Sequence, residues 1–366
     1  MRVFGCCASF CFLVVLLLAL LFGWLSAQEN GVGAFFKLAI GARGIGKPPT
    51  EAVPDDLMPS ARPEGEIFFN LPGGGKMPAN GLGMCCRPSA YDAISVHRTV
   101  LWYLLQGGRH IDTADLYLNH EAVGLGIRDA VARGIPRSEI FLVTKIWPTR
   151  YGYDSSIYKG KLMLQELGVD YIDLVLLHAP MKWDLDFILR KVFGGDKGLN
   201  EMRQLRMDTW KGLSTLRDQG RIRNLGVSNF DIKQMQEVQS LGLAPIAAHQ
   251  MQYHPWVPDW LKETVSYCHQ HQIVITAYFS LGGMDNKQKA FEIEALNKIA
   301  SSHGKRPAQV LLRWSLQKNV SIIPGTGNPK HMRENLATYG FSLSDDEMQR
   351  LDSMSSLPLA DDFFYL

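Results

Sequence analysis

Cysteine is scarce in the part of this chain that can form a core. Of six cysteines, Cys6, Cys7 and Cys11 fall in or before an apolar leader, leaving Cys85, Cys86 and Cys268. Three cysteines, two of them adjacent, exclude a disulfide framework, and Cys268 is expected to be buried on a helix. A dominant charge is missing too: 38 Lys+Arg stand against 36 Asp+Glu, mixed along the chain. No nucleic-acid partner is therefore expected. No G-x-G-x-x-G follows a strand, and Gly41–Gly46 (GARGIG) has the wrong spacing, so a Rossmann domain is unsupported. His249, His254, His269 and His271 lack ligand spacing with a third partner, so no metal centre is expected.

What is present divides into three parts. Phe10–Leu25 (FCFLVVLLLALLFGWL) carries no charge, Arg2 precedes it and Ser26-Ala27 follows. That order reads as a secretory signal, and its length also suits a membrane anchor. Residues 1–27 are thus expected to be a signal peptide or anchor, with membrane association through residues 4–27. The location expected is the secretory pathway, either anchored in an ER- or Golgi-type membrane or secreted. Residues 28–65 are rich in Gly, Pro and Ala without sustained periodicity and read as a flexible tether. Residues 66–366 form the globular unit.

That unit opens with Ile67–Asn70 and Lys76–Pro78 around LPGGG, a hairpin. Strand-like runs then follow at Gly81–Met84, His110–Asp112, Ile140–Lys145, Leu174–His178, Ile222–Val227, Ile246–Gln250, Val274–Tyr278 and Ser321–Pro324. Helical segments alternate with them, among them Tyr91–Gln106, Asp208–Arg217, Gln288–His303 and Pro307–Gln317. Eight alternating units predict an α/β fold, a (β/α)8 barrel of the TIM type. An extra C-terminal helix, Asp345–Ser353, starts at a capping box from Ser344 to Glu347. Met181–Met207 is a long loop, and Gly282–Lys287 after the seventh strand is a very short one.

Three successive barrel strands end on ionisable residues. Asp112 closes one run, Lys145 the next and His178 the third, each 33 residues after the last, and Tyr117 follows Asp112 by five. Strand ends converge on one rim of a parallel barrel, the rim where such folds place their chemistry. Singly, each residue reads more simply as a helix cap, a solvated terminus or a buried imidazole. Together, in this order, they point to one site.

With these residues in place the chain resembles the aldo-keto reductase superfamily, from about Glu66 to Ser355. HIDTADLYLN resembles its aspartate–tyrosine motif, LVTKIW its lysine motif and LVLLHAP its histidine motif; LGVSNF, AHQMQYHP, TAYFSLG and IPGTGNPKHMREN resemble its cofactor motifs. The resemblance implies a monomer that reduces a small-molecule aldehyde or ketone with NADPH, NADH being usable too. It implies a catalytic set of Asp112, Tyr117, Lys145 and His178. Ser228, Asn229 and Gln250 would hold the nicotinamide carboxamide, and Tyr278 would stack on its ring, followed by Phe279, Ser280, Leu281 and Gly282. Pro324, Gly325, Thr326, His331, Glu334 and Asn335 would surround the adenosine end. Cys85 and Trp147 would border the substrate.

The chemistry fits those residue types. A tyrosine phenol, with an ordinary pKa of about 10, is a poor acid at neutral pH. An ammonium beside it favours the phenolate, and a paired aspartate holds that ammonium. A histidine can hydrogen-bond the carbonyl oxygen as charge develops there. Some positions depart from the commonest family pattern. Met84-Cys85-Cys86 replaces a tryptophan, Phe279 replaces a small serine, and Gly325 and His331 stand where a lysine and an arginine usually hold the 2′-phosphate. The competing reading is a nicotinamide-binding regulatory or scaffold subunit with little turnover.

Overall fold

The computed structural model describes residues 53–54, 57–86, 90, 92–180, 196–283 and 287–354, without the side chains of 196–199 and 287. The expected leader, residues 1–27, lies outside the described residues, as do residues 181–195 of the expected long loop and residues 355–366. Among the described residues no helix is long and apolar enough to cross a membrane.

The hairpin pairs β1 (Phe68–Asn70) with β2 (Lys76–Pro78), Phe68 opposite Pro78 and Asn70 opposite Lys76. Eight parallel strands follow: β3 (Leu82–Gly83), β4 (His110–Asp112), β5 (Phe141–Ile146), β6 (Ile172–Leu177), β7 (Ile222–Ser228), β8 (Ile246–Gln252), β9 (Val274–Tyr278) and β10 (Ser321–Ile322). They are hydrogen-bonded in sequence order. The ring closes through a parallel bridge of Asn80 to Ile322, where Gly81 N–H donates to the Ile322 carbonyl (2.7 Å) and Ile322 N–H to that of Ala79 (2.8 Å). This is the expected (β/α)8 barrel with an N-terminal hairpin and an extra C-terminal helix.

The strands are buried along nearly their whole length, because helices cover the outside and side chains fill the inside. The hairpin plugs one end. Phe69, Leu71 and Met77 pack with Phe141, Val143, Leu174 and Leu176 of β5 and β6, and Gly73 N–H donates to Asn224 Oδ1 at the start of β7 (3.0 Å). This seals the end where strands begin and leaves the opposite rim for the site.

Local signals set the helices. α1 (Ala93–Leu105) starts at Asp92, whose carboxylate accepts from Ser95 N–H (2.8 Å) and buries Val96, Val100 and Leu104 against the barrel. Loss of such a cap costs about 1 kcal/mol. α2 (His120–Ala132) and α3 (Tyr153–Leu167) follow, and α4 (Asp196–Asp218) begins twelve residues before the expected Asp208. Its extra turns carry a thin apolar stripe in the sequence, Leu199, Met202 and Leu205 among polar residues, and Met202 is buried. α5 (Ile232–Gln239) and α6 (Asp259–Gln270) complete the middle of the chain. The single helix expected over Gln288–His303 is broken into α7 (Lys287–Phe291) and α8 (Glu294–Ser302). Asn297 Nδ2 donates to the carbonyls of Phe291 and Ile293, satisfying the backbone at the break. α9 (Pro307–Gln317), α10 (Pro329–Leu336) and α11 (Asp345–Asp352) end the fold, the last with the expected capping box from Ser344 to Glu347.

Residues 57–65, within the stretch expected to be a tether, run along the barrel. Ser60 N–H donates to the Leu105 carbonyl (2.7 Å), Arg133 Nη1 to that of Leu57 (3.4 Å), and Leu57 packs against the core.

Candidate active site

The rim opposite the hairpin gathers the ionisable strand ends. β4 delivers Asp112, β5 delivers Lys145, and His178 follows β6 with its N–H bonded to the Ile146 carbonyl (3.0 Å). Tyr117 sits at the end of a 3₁₀ turn, Asp115–Tyr117, stopped by Leu118 in the left-handed region (φ 53°). Lys145 is fully buried and Asp112 nearly so. Lys145 Nζ donates to Asp112 Oδ1 (2.5 Å), to the Thr113 carbonyl (2.9 Å) and to the Tyr117 hydroxyl (3.4 Å). The expected four residues therefore form one connected group: the rings of Tyr117 and His178 meet edge to face at 5.7 Å.

Burial acts on the two bases in the same direction. It pushes the Lys145 ammonium below its ordinary range, against the opposing pull of Asp112. It pushes His178 well below its ordinary value, and the charge of Lys145 adds to that. His178 is therefore a neutral imidazole at neutral pH, a hydrogen-bonding group and not a cation. Its Nδ1 has no hydrogen-bond partner among the described residues.

Beside this group lies the first part of the expected cofactor set. Asn229, in the left-handed region at φ 62°, follows β7. Its Nδ2 donates to the His178 carbonyl and to Ser228 Oγ (both 3.1 Å), and its Oδ1 accepts from the Tyr278 hydroxyl (2.8 Å). Gln250 Nε2 donates to Asp112 Oδ2 (2.7 Å), so the proposed carboxamide reader is wired to the proposed acid–base pair. Phe279 crosses the Tyr278 ring edge to face (5.0 Å) at φ 53°, and Ser280, Leu281 and Gly282 turn the chain away, with Gly282 N–H bonded to the Phe279 carbonyl (2.9 Å).

The second part stands after β10. Pro324, Gly325 and Thr326 lead into α10, which carries His331, Glu334 and Asn335. Glu334 is engaged by Arg306 Nη1 (3.0 Å), and the Asn335 carbonyl accepts from Asn80 Nδ2 (2.7 Å). Asn335 thus ties α10 to the strand that closes the barrel. Cys85 and Trp147 meet where expected: Cys85 packs against the patch of Tyr117, Trp147 and Ala179, and Trp147 crosses His178 edge to face at 5.1 Å.

Three features went unread in the sequence. Cys85 and Cys86 are joined by a disulfide, where no framework was expected. Adjacency argues against a long cross-link but not against a bond between neighbours. Asn119 is buried, accepting from Thr113 Oγ1 (2.6 Å) and donating to the carbonyls of Met84 and Ala90 (3.0 Å each). Finally, Lys159 Nζ pairs with Asp115 (2.7 Å) and Glu166 (3.4 Å), and Glu166 accepts from or pairs with His120 (2.7 Å), whose other nitrogen meets Thr144 Oγ1 (2.8 Å). This network braces the turn that carries Tyr117 against the strand that carries Lys145. Lys159 and Glu166 share α3, but Asp115 comes from a turn, His120 from α2 and Thr144 from β5, so no local motif announces it.

The model of the aldo/keto reductase family matches residues 81–356. A relative from Trypanosoma cruzi, a 9,11-endoperoxide prostaglandin H2 reductase, is 33% identical over 76% of this chain and 88% of its own. Aldo-keto reductase family 1 member A1 of Bos taurus is 32% identical over 77% of this chain and 87% of its own. The crystal structure of an aldo/keto reductase from Brucella melitensis, 29% identical, superposes with a TM-score of 0.66 over 79% of this chain and all of that one. The expectation of a secretory, membrane-anchored or secreted protein is corrected by these findings. The relatives are aldo-keto reductases matched over most of their length. With the barrel, the connected strand-end residues and these matches together, the chain belongs to the aldo/keto reductase family, oxidoreductases that reduce carbonyl groups.

Proposed function

We propose that this protein reduces an aldehyde or ketone to the alcohol, with NADPH as the preferred cofactor and Tyr117 as the proton donor. The observation that carries the proposal is the buried contact of Lys145 Nζ with both the Tyr117 hydroxyl and Asp112. The nicotinamide cofactor, when bound, supplies the hydride. Everything else falls to the chain. The Tyr117 hydroxyl gives its proton to the carbonyl oxygen, and the Lys145 ammonium stabilises the phenolate left behind. Asp112 offsets the cost of burying that ammonium. Neutral His178 hydrogen-bonds the same oxygen and fixes its orientation.

The residues present suit a nicotinamide dinucleotide. Ser228, Asn229 and Gln250 offer amide and hydroxyl groups to its carboxamide, and the half-buried Tyr278 offers an aromatic face to its ring. Gly325 and His331 stand where a lysine and an arginine are usual, which makes the 2′-phosphate grip weaker and leaves NADH usable. The test is NADPH consumption over a panel of aldehydes and ketones, run beside cofactor binding followed by protein fluorescence. Turnover that disappears in Tyr117→Phe supports the proposal. Tight cofactor binding with no turnover on any carbonyl would instead mark a regulatory subunit.

A further inference from the structure

The disulfide between Cys85 and Cys86 lies in the wall of the proposed substrate pocket. It stands directly after β3, in the stretch where the family commonly has a tryptophan. Cys85 packs against Tyr117, Trp147 and Ala179, the apolar patch beside the proposed proton donor. Both cysteines are half-buried, so the ring has one face on the pocket side and remains reachable from solvent. Cys86 sits at φ 67°, a left-handed backbone that residues other than glycine seldom take without a constraint. The loop is otherwise pinned: Asn119 Nδ2 holds the Met84 and Ala90 carbonyls on either side of it. Opening the ring therefore frees the two side chains and the Cys86 backbone without releasing the loop ends.

We propose, resting on the reductase reading above, that Cys85–Cys86 is a redox site that sets substrate selectivity. Its closed and open forms present different walls to the carbonyl substrate. The exchange partner is a thiol reductant. Its thiolate attacks one sulfur of the pair, the Cys85–Cys86 bond breaks, and a mixed disulfide forms. A second thiol then displaces the protein sulfur. Two electrons pass from the reductant to the pair, two protons end on the cysteine sulfurs, and the reductant leaves as its own disulfide. The reverse exchange closes the ring. Closed, the ring is a rigid, polarisable, apolar surface beside Trp147. Open, it becomes two thiols with independent rotamers, and Cys86 can leave the left-handed region. Cys268, the free cysteine among the described residues, is buried, and burial pushes its thiol up to about 12, so it does not compete for reagents.

The experiment equilibrates the full chain in buffers of stepped ratio of reduced to oxidised dithiothreitol. Each sample is split. One half is alkylated and the peptide holding Cys85 and Cys86 is weighed, which separates these thiols from the cysteines near the N-terminus. The other half is assayed for kcat/KM on a small aliphatic aldehyde and on a bulky aromatic one. Alkylation of both cysteines should rise together in one two-electron step. Across the same step the ratio of the two kcat/KM values should shift about tenfold, the size expected when apolar pocket contacts change. Cys86→Ser, which cannot close the ring, should hold the open-form ratio in every buffer. Full alkylation even in the most oxidising buffer overturns the proposal. So does a wild-type ratio that stays constant through the step, or a Cys86→Ser ratio that still follows the reductant. Absence of turnover in every buffer, with alkylation still following the two-electron step, overturns the reductase reading and leaves the redox site standing.

Discussion

Gln250 donates its amide to Asp112 Oδ2 at 2.7 Å, on the carboxylate oxygen that Lys145 leaves open. Asp112 is therefore held from two sides, by β5 and β8, the barrel's third and sixth strands, and a residue expected to meet the cofactor also steadies the acid–base pair. Gln250→Leu removes that donor and leaves a buried carboxylate oxygen without its partner. We expect a loss of about 1–3 kcal/mol of stability, the cost of an unsatisfied buried acceptor. The KM for NADPH and kcat should worsen together. A variant that changes only the cofactor KM, with an unaltered urea midpoint, would separate Gln250 from the Asp112–Lys145 pair.

Tyr117→Phe keeps the ring that packs against His178 and Trp147 and removes the hydroxyl that Lys145 reaches. Carbonyl reduction should fall by ~10²–10⁴-fold, the range for losing a positioned general acid. NADPH binding, measured by fluorescence titration, should stay close to that of the wild type. Turnover within a few-fold of wild type would remove Tyr117 from the reaction.

Lys159 couples the turn of Tyr117 to the helix face behind it. Its ammonium is nearly buried between Asp115 and Glu166. Lys159→Met leaves those carboxylates facing each other without the cation. Breaking a well-buried pair costs about 3–5 kcal/mol; because Glu166 is partly exposed, we expect about half of that. Urea unfolding reads the stability, and kcat should drop as the Asp115–Tyr117 turn loosens. An unchanged kcat in a destabilised variant would make the network purely structural.

How much of this was legible in the sequence follows from the range of each interaction. The barrel was readable because strand and helix alternate with a regular period, and β4 and β9 match their expected ends. Asp112, Lys145 and His178 were readable because the barrel repeats: equal spacing alone puts three strand ends on one rim. The Lys159–Glu166–His120 network was not, since its contacts to Asp115, His120 and Thr144 join α3 to a turn, a second helix and a strand. The break between α7 and α8 was hidden because Asn297 caps it from inside a continuous polar–apolar pattern. The ring at Cys85–Cys86 depends on a backbone angle that composition does not encode.

His331→Arg tests the cofactor end. An arginine on α10 presents a planar, always charged fork suited to a phosphate, which a histidine ring does not. The ratio of kcat/KM for NADPH over NADH should rise about tenfold, the equivalent of roughly 1.4 kcal/mol from a new charge-assisted contact. The NADH value itself should barely move. Equal gains for both cofactors would place His331 away from the 2′-phosphate.

Acid should destabilise the fold through two buried histidines. His249 and His254 are buried on and just after β8, and burial pushes them down from 6.5 to about 3 and about 4. Both rings accept backbone N–H groups: Phe230 donates to His249 Nε2 (3.2 Å) and Trp256 to His254 Nδ1 (3.3 Å). Protonating either nitrogen breaks its bond and buries a charge. Because the folded pKa lies below the unfolded one, the unfolded chain binds more protons between the two values. The stability these groups contribute is therefore fully present above about pH 6.5 and is lost as pH falls toward the folded values. At pH 5 each histidine should cost about 2 kcal/mol relative to pH 7.5, from ~1.4 kcal/mol per pH unit below the unfolded pKa. Urea midpoints measured at pH 7.5, 6 and 5 should fall steadily. The double variant His249→Asn, His254→Asn should start lower and show a flatter slope. A wild-type midpoint that holds constant down to pH 5 would mean that these rings are reached by water in the folded state.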